Sequence, residues 1–434
     1  MKASWLLALS LVLVSSAQAG VVGRTVPASP LTESRLTVLP AADQAPWRAY
    51  LARSQAAHRA DVSVLAAEQG RGVAPPSADE GKQGTAAASM PLTREAGWYA
   101  SAQARHIADV IVSFQTPSGG WGKNLDRSGA ARVRGQPFTG EPSFVGTLDN
   151  DATITEMRFL ARVIAQVPPS AGQAYRTSFS RGLAYLLASQ YPNGGWPQVW
   201  PLQGGYHDAV TFNDGAMLGA TRLLSQVAEG QGDFAFVSGK TRERAKVAWA
   251  RALDCILTSQ ILIGGQPAGW SQQHDPVTLA PVGARNFEPA ALASAESAQI
   301  FLYLMSLPDR SPRIARAVSG GATWLAASAI QDKAWTAIDP AIGRRLIDKP
   351  GASSIWARYY DVATGKPIYG DRDLTVHDDV NEISLERRNG YAWFNASGRP
   401  VAAAFRAWND DLAGWRPGQQ VRPSPRPKAE LEHG

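Results

Sequence analysis

A short pattern recurs along the chain, and it constrains the fold more than any other feature. Phe114-Gln115 followed by Gly119-Gly120-Trp121 matches Ser189-Gln190 followed by Gly194-Gly195-Trp196. A looser copy runs Ser259-Gln260, Gly264-Gly265, then Trp270. The three tryptophans lie 75 and then 74 positions apart. Each copy follows a stretch with helical apolar spacing, at residues 98–114, 175–190 and 245–260, and a fourth is expected at 313–328, with Trp335 after it. A period of this size holds two helices and their connections. Each such hairpin has an apolar face that it cannot bury alone, so neighbours must stack. The Gly-Gly pair is expected to cap the helix, because glycine accepts φ > 0 without a Cβ clash, and the tryptophan to fold back on the helix end. Repeated helical hairpins predict a mainly all-α fold. An α/α toroid is favoured over an open solenoid, because a ring gathers its loops into one open groove. Only residues 355–360 and 390–394 read as extended, so few short strands are expected.

The 434 residues allow one large domain or two to three ordinary ones. Apolar residues at 44% and a net charge of only +6 exclude a disordered chain. That charge does not indicate nucleic acid without a clustered basic patch, but it is compatible with an acidic partner. A single cysteine, Cys255, excludes an intrachain disulfide framework and a thiolate zinc site. Tryptophan (14) outnumbers phenylalanine (12) and tyrosine (11), and the repeat accounts for much of that excess, with a subset left to stack on a sugar.

Lys2, the apolar run 5–14 and Ser16-Ala17-Gln18-Ala19 predict a signal peptide, residues 1–19. No later apolar run is long enough for a membrane helix. The mature protein is therefore expected to be soluble, secreted or periplasmic, off the membrane and monomeric, with Cys255 buried in the core. Residues 20–90 form an N-terminal extension, with one helix from Trp47 to about Glu68 and a flexible Gly/Ala/Pro-rich linker after it. Residues 91–415 are expected to form the toroid domain, and 416–434 a basic, Pro-rich disordered tail.

Polar residues concentrate in the loops. Lys123 and Asn124 follow the first Gly-Gly-Trp. Asp149-Asn150-Asp151 precede a helix; one carboxylate would serve as an N-cap, but two carboxylates and an amide also suit a hard cation. Asn213-Asp214 precede another helix and read the same two ways. His274-Asp275-Pro276 reads mainly as a turn with a structural histidine. Arg285, Arg358 and Arg372 stand in polar loops, Arg372 flanked by aspartates in the manner of a surface ion pair. No Gly-x-Ser-x-Gly elbow, P-loop or His-Glu-x-x-His occurs. Arginines with carboxylates and aromatic rings fit a charged sugar, since guanidinium forks pair with carboxylates.

These motifs together resemble the pectate lyases of polysaccharide lyase family ten. The resemblance rests on Gly-Gly-Trp-Gly-Lys-Asn (119–124), Asp-Asn-Asp-Ala-Thr (149–153), Gln-Tyr-Pro-Asn-Gly-Gly-Trp-Pro-Gln (190–198) and Thr-Phe-Asn-Asp (211–214). It continues through Gln-His-Asp-Pro (273–276), Ala-Arg (284–285), Trp-Ala-Arg-Tyr-Tyr-Asp (356–361), Asp-Arg-Asp (371–373) and Glu-Arg-Arg-Asn-Gly-Tyr-Ala-Trp (386–393). It implies an α/α toroid that cleaves α-1,4-polygalacturonate by anti β-elimination with calcium. By that likeness Arg285 is the base, while Arg358, Arg372 and Lys123 meet substrate carboxylates. Asp149, Asn150 and Asp214 hold Ca2+, and Asp151 is either a further ligand or the cap of the next helix. An arginine base requires cationic surroundings and an alkaline working pH, because arginine is ordinarily always protonated. Ser271, Asn286 and Pro289 depart from the residues expected there, which touches the rate rather than the reaction class. The insert 126–144, with Arg127, Arg132 and Arg134, has no place in the family pattern and reads as a solvated loop or a basic lip on the groove.

Two other classes compete. A terpenoid cyclase also uses an α/α toroid, but its Asp-x-Asp-Asp acid is broken here at Asp149-Asn150-Asp151-Ala152. A non-catalytic acidic-polysaccharide-binding protein would share the groove without turnover.

Overall fold

The computed structural model describes residues 20–69, 81–140 and 145–414, the side chains of 411–414 excepted. The expected signal peptide, the first part of the linker and the 416–434 tail lie outside the described residues. Helices run in the order α1 (Ala41–Gln69), α2 (Thr85–Ser89), α3 (Ala102–Ser113), α4 (Ile154–Gln166), α5 (Gln173–Ser189) and α6 (Ala216–Glu229). They continue with α7 (Gly239–Thr258), α8 (Ser294–Ser306), α9 (Pro312–Ala327), α10 (Leu385–Gly390) and α11 (Gly398–Gly414). Helices α4, α6 and α8 bury most of their residues, whereas α7 buries only one narrow stripe. That contrast makes α4, α6 and α8 an inner set and α3, α5, α7 and α9 an outer one, as in a helical toroid.

The sequence repeat is a hydrogen-bonding device. Gln115 donates to the carbonyls of Gly119 (2.8 Å) and Ser178 (2.9 Å), tying the loop after α3 to α5. Gln190 does the same to Gly194 and Ala248, and Gln260 to Ala268 and Ala317. Trp121, Trp196 and Trp270, all fully buried, fold their Nε1–H back onto the carbonyls of Ile111, Leu186 and Ile256 at 2.7–2.8 Å. Each indole thereby pairs with a carbonyl of the last helical turn, which the helix end would leave unpaired, while each glutamine amide ties its loop to the next outer helix.

Two expectations are corrected. The Gly-Gly pair does not cap the helix: α3 ends at Ser113, with Phe114 as its C-cap, and Gly119 closes a separate turn onto Thr116. The glycine requirement comes from elsewhere. Gly194 has φ 93°, and a Cβ there would come within 2.1 Å of the Arg251 carbonyl on α7. The fourth copy of the repeat uses Trp356, not Trp335. Trp356 donates to Leu325 at the end of α9, as the other three do on their own helices. Between them a β-hairpin, Lys333–Ala337 with Arg344–Asp348, is inserted, and Trp335 lies on it against Phe394.

The strands are short. One antiparallel sheet has the order Val21–Arg24, Thr375–His377, Pro367–Gly370, Tyr359–Tyr360, Leu292–Ala293. The expected extended stretches contribute Trp356–Ala357, Tyr359–Tyr360 and Phe394–Asn395, while Gly390 ends α10. The N-terminal extension is woven into the toroid. Its first strand joins this sheet, the Tyr50 hydroxyl donates to Ser189, and Asp61 accepts from the Ser118 N–H and hydroxyl. Helix α1 begins at Ala41 rather than Trp47. The second half of the expected linker is a turn and α2, with Gly81 bonded to the Asn124 carbonyl.

The insert is neither solvated loop nor basic lip at its first two arginines. Arg127 is fully buried against Glu156 (2.9 Å), and Arg132 pairs with Glu68 of α1 at 2.5 Å. Cys255 is a buried free thiol, as expected, with burial pushing it up to about 12. No helix among the described residues is long and apolar enough to cross a membrane.

Candidate active site

The repeat also builds the site. After each buried tryptophan the chain returns to an inner helix through a residue bonded to that tryptophan's carbonyl: Thr147 to Trp121, Thr211 to Trp196, Ala293 to Trp270. In the first two copies the next positions are Leu148-Asp149-Asn150 and Phe212-Asn213-Asp214. Asn150 (φ 51°, ψ 42°) and Asp214 (φ 50°, ψ 26°) adopt the same left-handed conformation. Asp-Asn in one repeat and Asn-Asp in the next thus occupy equivalent places at the loop end. Positive φ at non-glycine residues is uncommon, and here Asn124, Asn150, Asp151, Thr153 and Asp214 all carry it. Neither helix that follows is capped by these side chains: Thr153 and Gly215 hold the N-cap positions of α4 and α6 without a side-chain cap bond.

These loops line a cavity of about 600 Å3. Lys123, Asp149, Asn150, Asp214, Arg285 and Arg358 all open onto it, with Tyr206, Asn213, Glu288 and Tyr391. Six of the eight residues expected from the sequence therefore converge. At one end Lys123 Nζ lies 3.0 Å from Asp149. Asp214 is exposed on the cavity wall, with protein crowded around its carboxyl. That desolvation, then the charges of Asp149 and Glu296, push it up to about 7, while Arg358 opposes the rise. Asn213 donates to Asp214 at 2.6 Å.

At the other end Arg285 makes a bidentate pair with Glu288, Nε at 2.8 Å and NH2 at 2.5 Å. These bonds raise the Arg285 guanidinium further, despite partial burial. Glu288 also accepts from the Tyr391 hydroxyl (2.6 Å), whose oxygen lies 2.8 Å from that of Tyr359, itself 2.5 Å from Gln272 Oε1, so two phenolic protons serve three contacts. Gln272 in turn donates to Asn213 and Glu296, each at 2.7 Å. A run of close polar contacts thus links Arg285 to the carboxylates around Asp214, with the two tyrosine protons shared along it. Arg358 lies over the Tyr391 ring at 4.6 Å, 3.8 Å from Glu296. Phe287 carries Arg285, Arg372 and Arg387 at 4.9, 4.8 and 4.3 Å, so aromatic rings separate four guanidiniums.

Two expected residues are placed elsewhere. Arg372 does not line the cavity; it is exposed, shares the Phe287 ring with Arg285 and pairs with Glu386 at 3.2 Å. Asp151 also misses the cavity. With consecutive positive φ at Asn150 and Asp151, the chain turns, and Asp151 faces Arg158 and Arg222 in a neighbouring pocket. No tryptophan lines the cavity; its rings are Tyr206 and Tyr391 with His207. His274 is structural: buried, accepting from the Ser271 N–H, contacting the Leu279 carbonyl and held down to about 4 by burial.

Sequence reasoning assigned no role to Glu288, Tyr391, Glu296 or Gln272. Glu288, three residues beyond Arg285, was the legible one, since such spacing permits a local ion pair; the others meet only through the fold.

Two solved structures resemble this chain. One is a family 10 polysaccharide lyase from Cellvibrio cellulosa, 32% identical, with a TM-score of 0.64 over 74% of this chain and 97% of that one. The other is an aspartate-to-alanine mutant of a family 10 polysaccharide lyase from the same organism, in complex with trigalacturonic acid. It is 31% identical, with a TM-score of 0.63 over 74% of this chain and 98% of that one. The fold is that of a polysaccharide lyase, and the chain is an enzyme of that class. A family model described as pectic acid lyase matches residues 115–402, and the chain belongs to this family. A comparison with curated proteins gives no match.

Proposed function

We propose that the enzyme cleaves α-1,4-linked polygalacturonate by calcium-assisted anti β-elimination, giving 4,5-unsaturated oligogalacturonides, and that it acts as an exported monomer, secreted or periplasmic. One observation carries this reading: the carboxylates and amides of two successive repeats meet Arg285 and Arg358 in a single cavity. The trigalacturonic acid held by the structural relative supports the choice of polymer.

The donors fit a hard cation. Burial, then the charges of Asp149 and Glu296, raise Asp214 to about 7, and Glu296 Oε2 is buried without a partner among the described residues. Asp149, Asn150 and Asp214 would hold calcium; Asp151, facing Arg158 and Arg222, is left out. Calcium prefers about six to eight oxygens, so three protein residues leave room for substrate oxygens. When bound, the ion supplies a Lewis acid at the uronate carboxylate.

Arg358, fixed over Tyr391, meets a substrate carboxylate and steadies the charge that develops on it. Lys123 and, at the rim, Arg372 serve neighbouring carboxylates. Arg285 takes the proton from C5. The C5–H electrons form the C4=C5 double bond, the C4–O4 bond breaks, and O4 leaves with a proton from solvent. Glu288 holds Arg285 in place but also stabilises its protonated form, so base action requires alkaline pH and a pair loosened by substrate. Arg358, Arg372 and Arg387 supply the opposing cationic surroundings.

The test is absorbance of the unsaturated uronate on polygalacturonate, with calcium and with chelator. A calcium-dependent rise at alkaline pH is expected. No rise, or an optimum at or below about pH 6, would overturn the reading.

A further inference from the structure

A second cavity, of about 350 Å3, adjoins the first and shares Gln83, Asn150 and Asp214 with it. Its far wall carries two arginines, Arg158 on α4 and Arg222 on α6. Gln299 of α8 and the small residues Gly215 and Gly219 complete one side. The other side is Gln83, Gly84 and Ala87, which precede the residues 115–402 matched by the family model.

The two arginines are not used up within the protein. Arg158 Nε is buried with no hydrogen-bond partner among the described residues, and its NH2 makes only a long contact, 3.4 Å, to Gln226. Arg222 lies 5.5 Å over the Tyr303 ring. Asp151 is the carboxylate that acts on both, since Asp214 is engaged with Asp149 and Glu296. Burial and then the charge of Arg222 hold Arg158 below its ordinary value. Two partly desolvated cations beside one carboxylate leave an anion's place open, and guanidinium forks favour a carboxylate there. The amides of Gln83, Asn150 and Gln299 suit sugar hydroxyls.

We propose that this second cavity is a binding subsite for the carboxylate of a further uronate unit, read by Arg158 and Arg222 and walled by the N-terminal extension. The proposal rests on the polyuronate substrate proposed above. Gln83 donates to Asn150 at 3.0 Å, so the wall and the proposed calcium site are directly joined.

The experiment is calorimetric binding of oligogalacturonates of two to six units, in calcium, to the full-length protein and to its Arg222→Gln, Arg222→Lys and Arg158→Gln variants. In the wild type, affinity should rise in steps with length. Arg222→Gln and Arg158→Gln should each remove one step, weakening the longer oligomers about tenfold and leaving the shortest unchanged, while Arg222→Lys keeps most of the gain. Retained affinity for the shortest oligomer shows that the variants are folded. Equal weakening at every length, or none at any length, would overturn the subsite. So would loss of inorganic phosphate binding with hexamer binding intact, which would make the cavity a free-anion site. Wild-type protein that shows the length steps but forms no unsaturated product would instead refute the lyase reading and leave the subsite standing.

Discussion

In the proposed role of base, Arg285 faces two opposed requirements. Glu288 holds its guanidinium by two hydrogen bonds, which favours the charged form, whereas a base must give that proton up. Replacing Glu288 with Gln removes the stabilising charge and keeps most of the shape. The ascending limb of the pH–rate profile should then move to lower pH by about one to two units, the equivalent of one charge-assisted bond. An unmoved limb would mean that Arg285 does not titrate in the rate-limiting step. Asp214 carries the matching prediction for the metal. Calcium should raise the melting temperature of the wild type, because it binds the folded state alone. Asp214→Ala should abolish that rise, as measured by calcium-dependent thermal shift. The residue types of this site were legible in the sequence, because Asp, Asn and Arg in loops before apolar helices are hard to explain as packing. Asp151 was not separable from its neighbours there. Only the backbone turn at Asn150 and Asp151 sends it to Arg158 and Arg222.

The Gln–Trp device acts at the scale of the helices. Gln190 is buried and feeds two carbonyls, on its own loop and on α7. Gln190→Leu would leave the Gly194 carbonyl without its donor and remove the tie to Ala248 of α7, and should destabilise the protein by about 1–3 kcal/mol, read from the midpoint of urea unfolding. The repeat and its helices could be read from spacing alone, since each copy lies beside its own helix end. The fourth tryptophan could not: a β-hairpin separates Trp356 from α9, and Trp335, on that hairpin, stands at about the distance from its helical stretch that Trp121 and Trp196 keep from theirs. Helix α1 shows a second kind of loss. Its amphipathic spacing was visible, but its partner was not. Asp61 is buried against Ser118, and burial pushes its carboxyl up to about 6. A folded value above the ordinary one means the group favours folding below about pH 4 and loses that contribution as pH rises to about 6. Asp61→Asn can keep the bond from the Ser118 N–H without the charge. The variant should gain stability relative to wild type above pH 6, with the difference shrinking toward pH 4. A difference independent of pH would show that Asp61 does not titrate in this range.

For the molecule as a whole, the toroid turns a packing repeat into a chemical one. Tryptophans fix where each loop returns to an inner helix, and two successive returns deliver Asp-Asn and Asn-Asp to one place. The tryptophan excess is thus largely spent in the core, and the rings that line the cavity are Tyr206, Tyr391 and His207. The N-terminal extension contributes a strand to the sheet and Gln83 to the cavity, a role that its composition did not reveal, because Gly/Ala/Pro-rich chain reads the same whether it hangs free or lies against a surface. The central claim is that this cavity binds a polyuronate through its carboxylates and arginines and abstracts a proton with Arg285. Arg285→Ala measured side by side for turnover and for polygalacturonate binding tests it most directly. Turnover should fall by at least about a thousandfold, on the scale of a lost catalytic base with its electrostatic support, while binding stays within a few-fold of wild type. Turnover that survives the substitution, or binding that falls in step with it, would contradict the account.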